Sequence, residues 1–193
     1  MPAFAYILEE LTMKLDLLQT ALDCGAAKAT YLTAQQIVLS QEFRNICQGN
    51  GCGMFGSCWV CPPEIGLIDA LMEQVRRFPK AMLYQSIREI EDSFDIEGMF
   101  EAGYAHAQLS QKIQQYAKTD DSIEFLHLTC GGCRLCETCA KASDEPCRHP
   151  DKALSSLEGY GIDVYNTCKD TPLHYINGQN TVTYFGMVLF REK

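Results

Sequence analysis

Nine of the eleven cysteines in this 193-residue chain sit in two short runs. The first, Cys47, Cys52, Cys58 and Cys61, follows C-x4-C-x5-C-x2-C and ends in CGMFGSCWVCPP (52–63). The second begins at CGGCRLCETC, where Cys130, Cys133, Cys136 and Cys139 recur every third residue, and Cys147 follows in EPCRHP. Clustered thiols pair as disulfides, run redox chemistry, or bind metal as thiolates. Eleven is odd, so pairing cannot be complete, and disulfides belong to oxidising compartments. The opening MPAFAYILEELTMKLD has no basic n-region and meets acidic residues at Glu9 and Glu10, so a signal peptide is not expected. The expectation is a cytoplasmic protein whose cysteines hold metal.

The spacing also bears on which metal. Bacterial ferredoxin-type sites use C-x2-C-x2-C-x3-C-P to hold a cubane iron–sulfur cluster, the last cysteine serving another cluster. Here C-x2-C-x2-C is present, but Ala140 follows Cys139 and Arg148 follows Cys147. Either Cys130, Cys133, Cys136 and Cys139 close one site, or Cys133, Cys136, Cys139 and Cys147 do. All-cysteine zinc sites space paired C-x2-C knuckles with a longer loop, so the repeated triplet points to iron–sulfur ahead of zinc. Cys47, Cys52, Cys58 and Cys61 make a second four-thiol set, with Pro62 following Cys61 as in ferredoxins. An exchange of thiols between the two runs is also compatible with the spacing. Gly131 and Gly132 would let the backbone approach cluster sulfides, and Met54, Phe55 and Trp59 would keep water off the first site; both effects tune potential.

Other chemistry-bearing residues are weighed against simpler roles. His106 lies on the apolar stripe of a helix, where a core histidine is the better reading than a ligand. His127 shares a strand face with Phe125 and Thr129. His149 stands two residues past Cys147 and could donate a hydrogen bond or carry a proton near neutral pH. Arg134 and Arg148 flank the cysteines and would offset thiolate charge. Cys24 and Cys168 have no cysteine neighbours and read as spare thiols. Phosphate-loop, nucleophile-elbow and H-E-x-x-H signatures are absent from the sequence.

The elements that must position these loops alternate. Phe4, Ile7, Leu8, Leu11, Leu15, Leu18 and Leu22 give a helix over 4–22, and residues 28–39 a strand region. Ile65, Ile68, Leu71, Met72 and Val75 give a helix that ends before Pro79, followed by the strand AMLYQSI. Residues 97–118 form a long helix with Met99, Ala102, His106, Leu109, Ile113 and Tyr116 on one stripe. IEFLHLT (123–129) is a strand running into the second cysteine loop; a short helix over 153–159 and a closing strand TVTYFGMVLF complete the chain. This alternation predicts a single α/β domain, helices packed on a mixed sheet, with cysteine-rich loops at 47–63 and 130–150.

Taken together, CGMFGSCWVCPP, GGCRLCETCA (131–140) and EPCRHPDKALSSLEGYGIDV (145–164) resemble a family of predicted metal-binding proteins, a domain of unknown function in bacteria and archaea. Its first-loop pattern, C-x4-C-G-x-[YF]-G-x2-W-x-C-P-P, carries over to Cys47, Cys52 and Cys61. Its second loop carries over to Cys133, Cys136, Cys139 and Cys147. Cys58 and Cys130 are additions of this chain, and they leave the fourth ligand of the first site open. The resemblance implies metal binding, iron–sulfur in kind, without a reaction. The expected function is electron transfer through two [4Fe–4S] clusters. The alternatives are a reductase or activase with an open-iron cluster at the first loop, and a structural zinc module that handles metal or binds a partner. The partner would be a redox protein or a small-molecule substrate. Nucleic acid is disfavoured by a net charge of −9 with no basic cluster, and no apolar stretch is long enough to span a bilayer.

Overall fold

The computed structural model describes residues 16–193. The helix expected over 4–22 lies mostly outside the described residues; within them it is not continuous, because α1 (Leu17–Asp23) starts at Asp16, whose backbone is extended. The Asp16 carboxylate caps α1 by accepting from the Leu18 and Gln19 N–H groups at 3.1 and 3.2 Å, and accepts from the Tyr31 hydroxyl at 2.8 Å. These bonds satisfy N–H groups that the first helical turn leaves unpaired.

After α1 come β1 (Lys28–Thr33), α2 (Glu42–Gln48), α3 (Ile68–Arg76), β2 (Lys80–Glu89), α4 (Ile96–Ala117), β3 (Ile123–Leu128), α5 (Val164–Cys168) and β4 (Thr181–Glu192). The four strands form one sheet in the order β1-β2-β4-β3. The α/β architecture expected from the sequence is the one observed, but the sheet is antiparallel throughout rather than mixed. The reason is topological. The β2–α4–β3 crossover runs its two strands parallel, and β4 inserts between them, antiparallel to both.

Both faces of the sheet are covered, because residues alternate along each strand. Met82, Tyr84, Val188 and Phe190 pack on one face against Leu17 and Ala21 of α1 and Leu109 and Ile113 of α4. Leu83, Met187 and Leu189 face the other side, against Val75 and Phe78, Leu157, Ile162 and Val164. Burying side chains of this size stabilises the fold by about 1.5–3 kcal/mol each.

Several elements differ from the sequence reading. Residues 34–36 form a 3-10 turn, so β1 stops well short of residue 39. The helix expected over 153–159 is reduced to a 3-10 turn at Glu158–Tyr160, because Ser156 instead bridges Thr129 beside the end of β3. On α4 the buried stripe passes through Ala117, and Tyr116 is exposed. Among the described residues no helix is long and apolar enough to cross a membrane.

Candidate metal centres

The two cysteine runs lie in separate loops, one between α2 and α3 and one after β3. β3 ends at Leu128, opposite Met187, while β4 continues back to Thr181. On that side the Thr181–Gly186 edge of β4 has no strand partner, and the chain from Cys130 to Gly132 borders the space left over. The Ser155–Leu157 segment is laced to the end of β3, with Thr129 N–H donating to the Ser155 carbonyl at 3.0 Å and Leu157 N–H to the Thr129 carbonyl at 2.8 Å. This brings Glu158 to the same space.

The result is a cavity of about 700 Å3. Cys47, Cys52 and Cys61 line it from the first loop and Cys130 from the second. Cys47 belongs to the last turn of α2, not to an irregular loop. One turn earlier, Arg44 donates to the Gly66 carbonyl at 2.9 Å, while its Nε and Nη2 are buried without a partner among the described residues. This cation lowers the Cys47 pKa, but burial and the neighbouring Cys52 thiol outweigh it and push the group up. Burial also pushes Cys130 up to about 12. Gly132 lies close to Met54, which shares the cavity wall: a Cβ there would stand 2.7 Å from Met54 Cγ, and the Met54 side chain would have to move.

Cys58 does not open into this cavity. It is 1% exposed, beside Cys61, with Cys139 also in hydrogen-bonding reach. Its pKa falls to about 5, first through the hydrogen bond from the Cys61 thiol and then, against burial, through the backbone N–H groups of Val60 and Cys133. Cys61 moves the opposite way, because it keeps the shared proton and is buried. Cys58 is thus the point where the first loop touches the second.

Cys133, Cys136, Cys139 and Cys147 share a separate small pocket of about 20 Å3, with Arg148 and His149 at its wall. Burial pushes Cys133 up to about 11, and the thiols of Cys58, Cys139 and Cys147 add to the rise. His149 N–H approaches the Cys147 sulfur at 3.4 Å. Arg148 turns to the Thr138 carbonyl at 3.1 Å, and Arg134 stacks on Phe100 and Tyr104 with its carbon 5.5 and 4.7 Å from their ring centres. The loops are also joined by Trp59, whose Nε1 donates to the Glu145 carbonyl at 2.8 Å under the Lys141 ammonium, 4.5 Å from the ring centre.

Behind Cys130 a buried polar chain crosses the core. His127 Nε2 meets the Tyr84 hydroxyl at 2.8 Å; that hydroxyl donates to Ser110 Oγ at 2.7 Å, and Ser110 Oγ pairs with Thr129 Oγ1 at 2.9 Å. His106 is fully buried, with Nδ1 at 2.8 Å from Ser86 Oγ and Nε2 unpaired. Both histidines belong to the core. Cys24 and Cys168 are free and lie apart from both thiol groups, packed against the two cores.

All eleven cysteines are free. Among the described residues no three His, Cys, Asp or Glu side chains converge to hold a single ion. The thiols stand instead around shared pockets, in an all-sulfur donor set of the kind that iron–sulfur groups and thiolate zinc both accept. Four residues that matter here carry no signal in the sequence pattern: Arg44, Glu158, Ser110 and Tyr84 are placed by tertiary packing alone.

No curated protein and no solved structure matches the chain. The family model described as "Predicted metal-binding protein (DUF2284)" matches residues 30–190, and the chain belongs to this family.

Proposed function

We propose that this metal-binding protein is a cytoplasmic iron–sulfur redox protein with two four-iron centres, one closed and one open to a cavity. Cys133, Cys136, Cys139 and Cys147 would hold the closed centre. Cys47, Cys52 and Cys61 would hold the open one, with Cys130 on the cavity wall and Cys58 as a buttress between the two. The sorting of the thiols supports this reading: four share one pocket, three from the first loop line another, and Cys58 is excluded from the cavity by its burial. A tetrahedral zinc site needs four sulfurs about 2.3 Å from one point; the roughly 700 Å3 cavity is far roomier than that, while the small pocket of about 20 Å3 keeps zinc as the rival occupant of the second site.

A cluster held in either place would supply one-electron transfer. The chain's own residues shape it. The His149 N–H is directed at the Cys147 sulfur, and the Arg44 guanidinium near Cys47 favours the thiolate form there, against the larger effect of burial. Met54 and Phe55 limit water at the cavity mouth. The enzyme alternative at the first loop gains support from the cavity, which falls within the roughly 300–1,000 Å3 range of small-molecule sites.

The test is iron and acid-labile sulfide content after purification without oxygen. About eight of each per chain are expected for two [4Fe–4S] centres. Cys58→Ser should keep that content, while Cys61→Ser should lose about half. Zinc without sulfide would overturn the reading in favour of a structural module.

A further inference from the structure

The cavity beside Cys47, Cys52 and Cys61 has a lining that selects among ligands. Its walls are largely apolar and aromatic. Tyr175 and Phe185 stack with ring centres 5.8 Å apart and planes 13° off parallel, and Met54 and Phe55 border the same space. No Lys, Arg or His side chain is among its lining residues. Its one carboxyl is that of the half-buried Glu158.

A carboxylate on a wall that presents no cation favours a ligand that brings its own positive charge or N–H donor. Two other polar lining groups are engaged. The Tyr184 hydroxyl donates to the Met99 carbonyl at 2.8 Å, and Thr183 Oγ1 accepts from Asn177 Nδ2 at 3.0 Å. The Glu158 carboxylate also disfavours anions in the space. Size permits a ligand beside a cluster: eight cluster atoms, at the roughly 30 Å3 of a water molecule each, would take about a third of the volume.

We infer that this cavity binds a flat, aromatic, cationic or N–H-donating small molecule, its ring against the Tyr175–Phe185 pair and its nitrogen on Glu158. Phosphorylated and carboxylated compounds are excluded by the same lining. The inference deepens the open-centre reading by naming the ligand class, and it rests on that reading for the role of the adjacent thiols.

The experiment is calorimetric titration of the full chain, purified without oxygen and assayed for iron in the same sample, with benzamidine, benzyl alcohol and benzoate. Benzamidine should bind at one per chain and benzoate at least tenfold more weakly, the loss expected for a missing charge-assisted hydrogen bond. Glu158→Gln should weaken benzamidine on the order of tenfold and leave benzyl alcohol unchanged. Tyr175→Ala, at the half-exposed rim, should weaken both benzamidine and benzyl alcohol, and it supports the proposal independently if Glu158→Gln fails to fold. Equal binding of benzoate and benzamidine, no binding of benzamidine, or an unchanged preference in Glu158→Gln would overturn it. Benzamidine binding to iron-free chain would uphold the ligand site while sinking the cluster reading; iron without benzamidine binding would do the reverse.

Discussion

The two buried histidines give the protein a pH-dependent stability whose size follows from their surroundings. Burial holds the pKa of His106 down to about 4 and that of His127 down to about 3, with His106 adding to the second shift. In the unfolded chain both return to about 6.5. Because the folded values lie below the unfolded one, the stability is complete above pH 6.5 and is lost as pH falls toward the folded values. Between those limits unfolding takes up two protons. The loss from pH 7.5 to pH 5 is about 2 kcal/mol per ring, or about 4 kcal/mol for the pair, a large share of the 5–15 kcal/mol typical of a domain.

Urea unfolding of the metal-free chain at a series of pH values measures this. The comparison is with His127→Phe, which keeps an aromatic ring of similar bulk and removes one proton site. Tyr84 still donates to Ser110 in that variant. Other titrating groups, Cys58 included, cancel in the difference. The wild-type curve should fall more steeply below pH 6.5, by about 1.4 kcal/mol per pH unit. Parallel curves would mean that the folded chain already charges His127, and would refute its place as a neutral core group.

Two further outcomes follow from contacts. Trp59→Leu removes the bond to the Glu145 carbonyl and the contact with Lys141; it should cost about 2 kcal/mol and speed iron release to a ferrous chelator, and an unchanged release rate would show that Trp59 does not tie the loops. Gly186→Ala places a Cβ where the Tyr84 hydroxyl and ring lie; it should destabilise by about 3 kcal/mol or more, and wild-type thermal stability would show that the Tyr84 ring can leave its site.

The strands and the longest helix were legible because their periods are clean. β4 is rich in β-branched and aromatic residues, β2 and β3 carry short apolar cores (AMLY and FLHL), and α4 repeats its apolar positions at helical spacing over 22 residues. α2 was missed for a physical reason: EFRNICQ buries no residue completely and shows no apolar face, so its helix begins unannounced and carries Cys47 at its end. The 153–159 segment misled in the opposite direction. Leu154 and Leu157 have helical spacing and are both buried, but the chain between them bridges to Thr129 through Ser156 and turns helical only at Leu157, which caps the 3-10 turn.

The cysteines were legible as a set, and the family resemblance separated Cys47, Cys52 and Cys61 from Cys133, Cys136, Cys139 and Cys147, but spacing alone did not place Cys58 and Cys130. Sequence proximity places Cys58 with Cys61 and Cys130 with Cys133. In the fold, Gly56 N–H donates to the Pro62 carbonyl at 2.9 Å and Cys61 N–H to the Cys58 carbonyl at 3.1 Å, so the chain turns tightly between the two thiols. Cys61 then lines the cavity while Cys58 lies within reach of Cys139. On the other side, Thr129 is pinned by Ser110 and by Ser155, and the Gly131 turn at φ +65° separates Cys130 from Cys133. Cys130 faces Glu158 across the cavity, and Cys133 joins the second pocket. Each loop therefore sends a thiol toward the other, and the two cysteine runs form one tertiary unit. A substitution that loosens the contact between the loops should disturb both centres together, although some 70 residues of chain lie between Cys61 and Cys130.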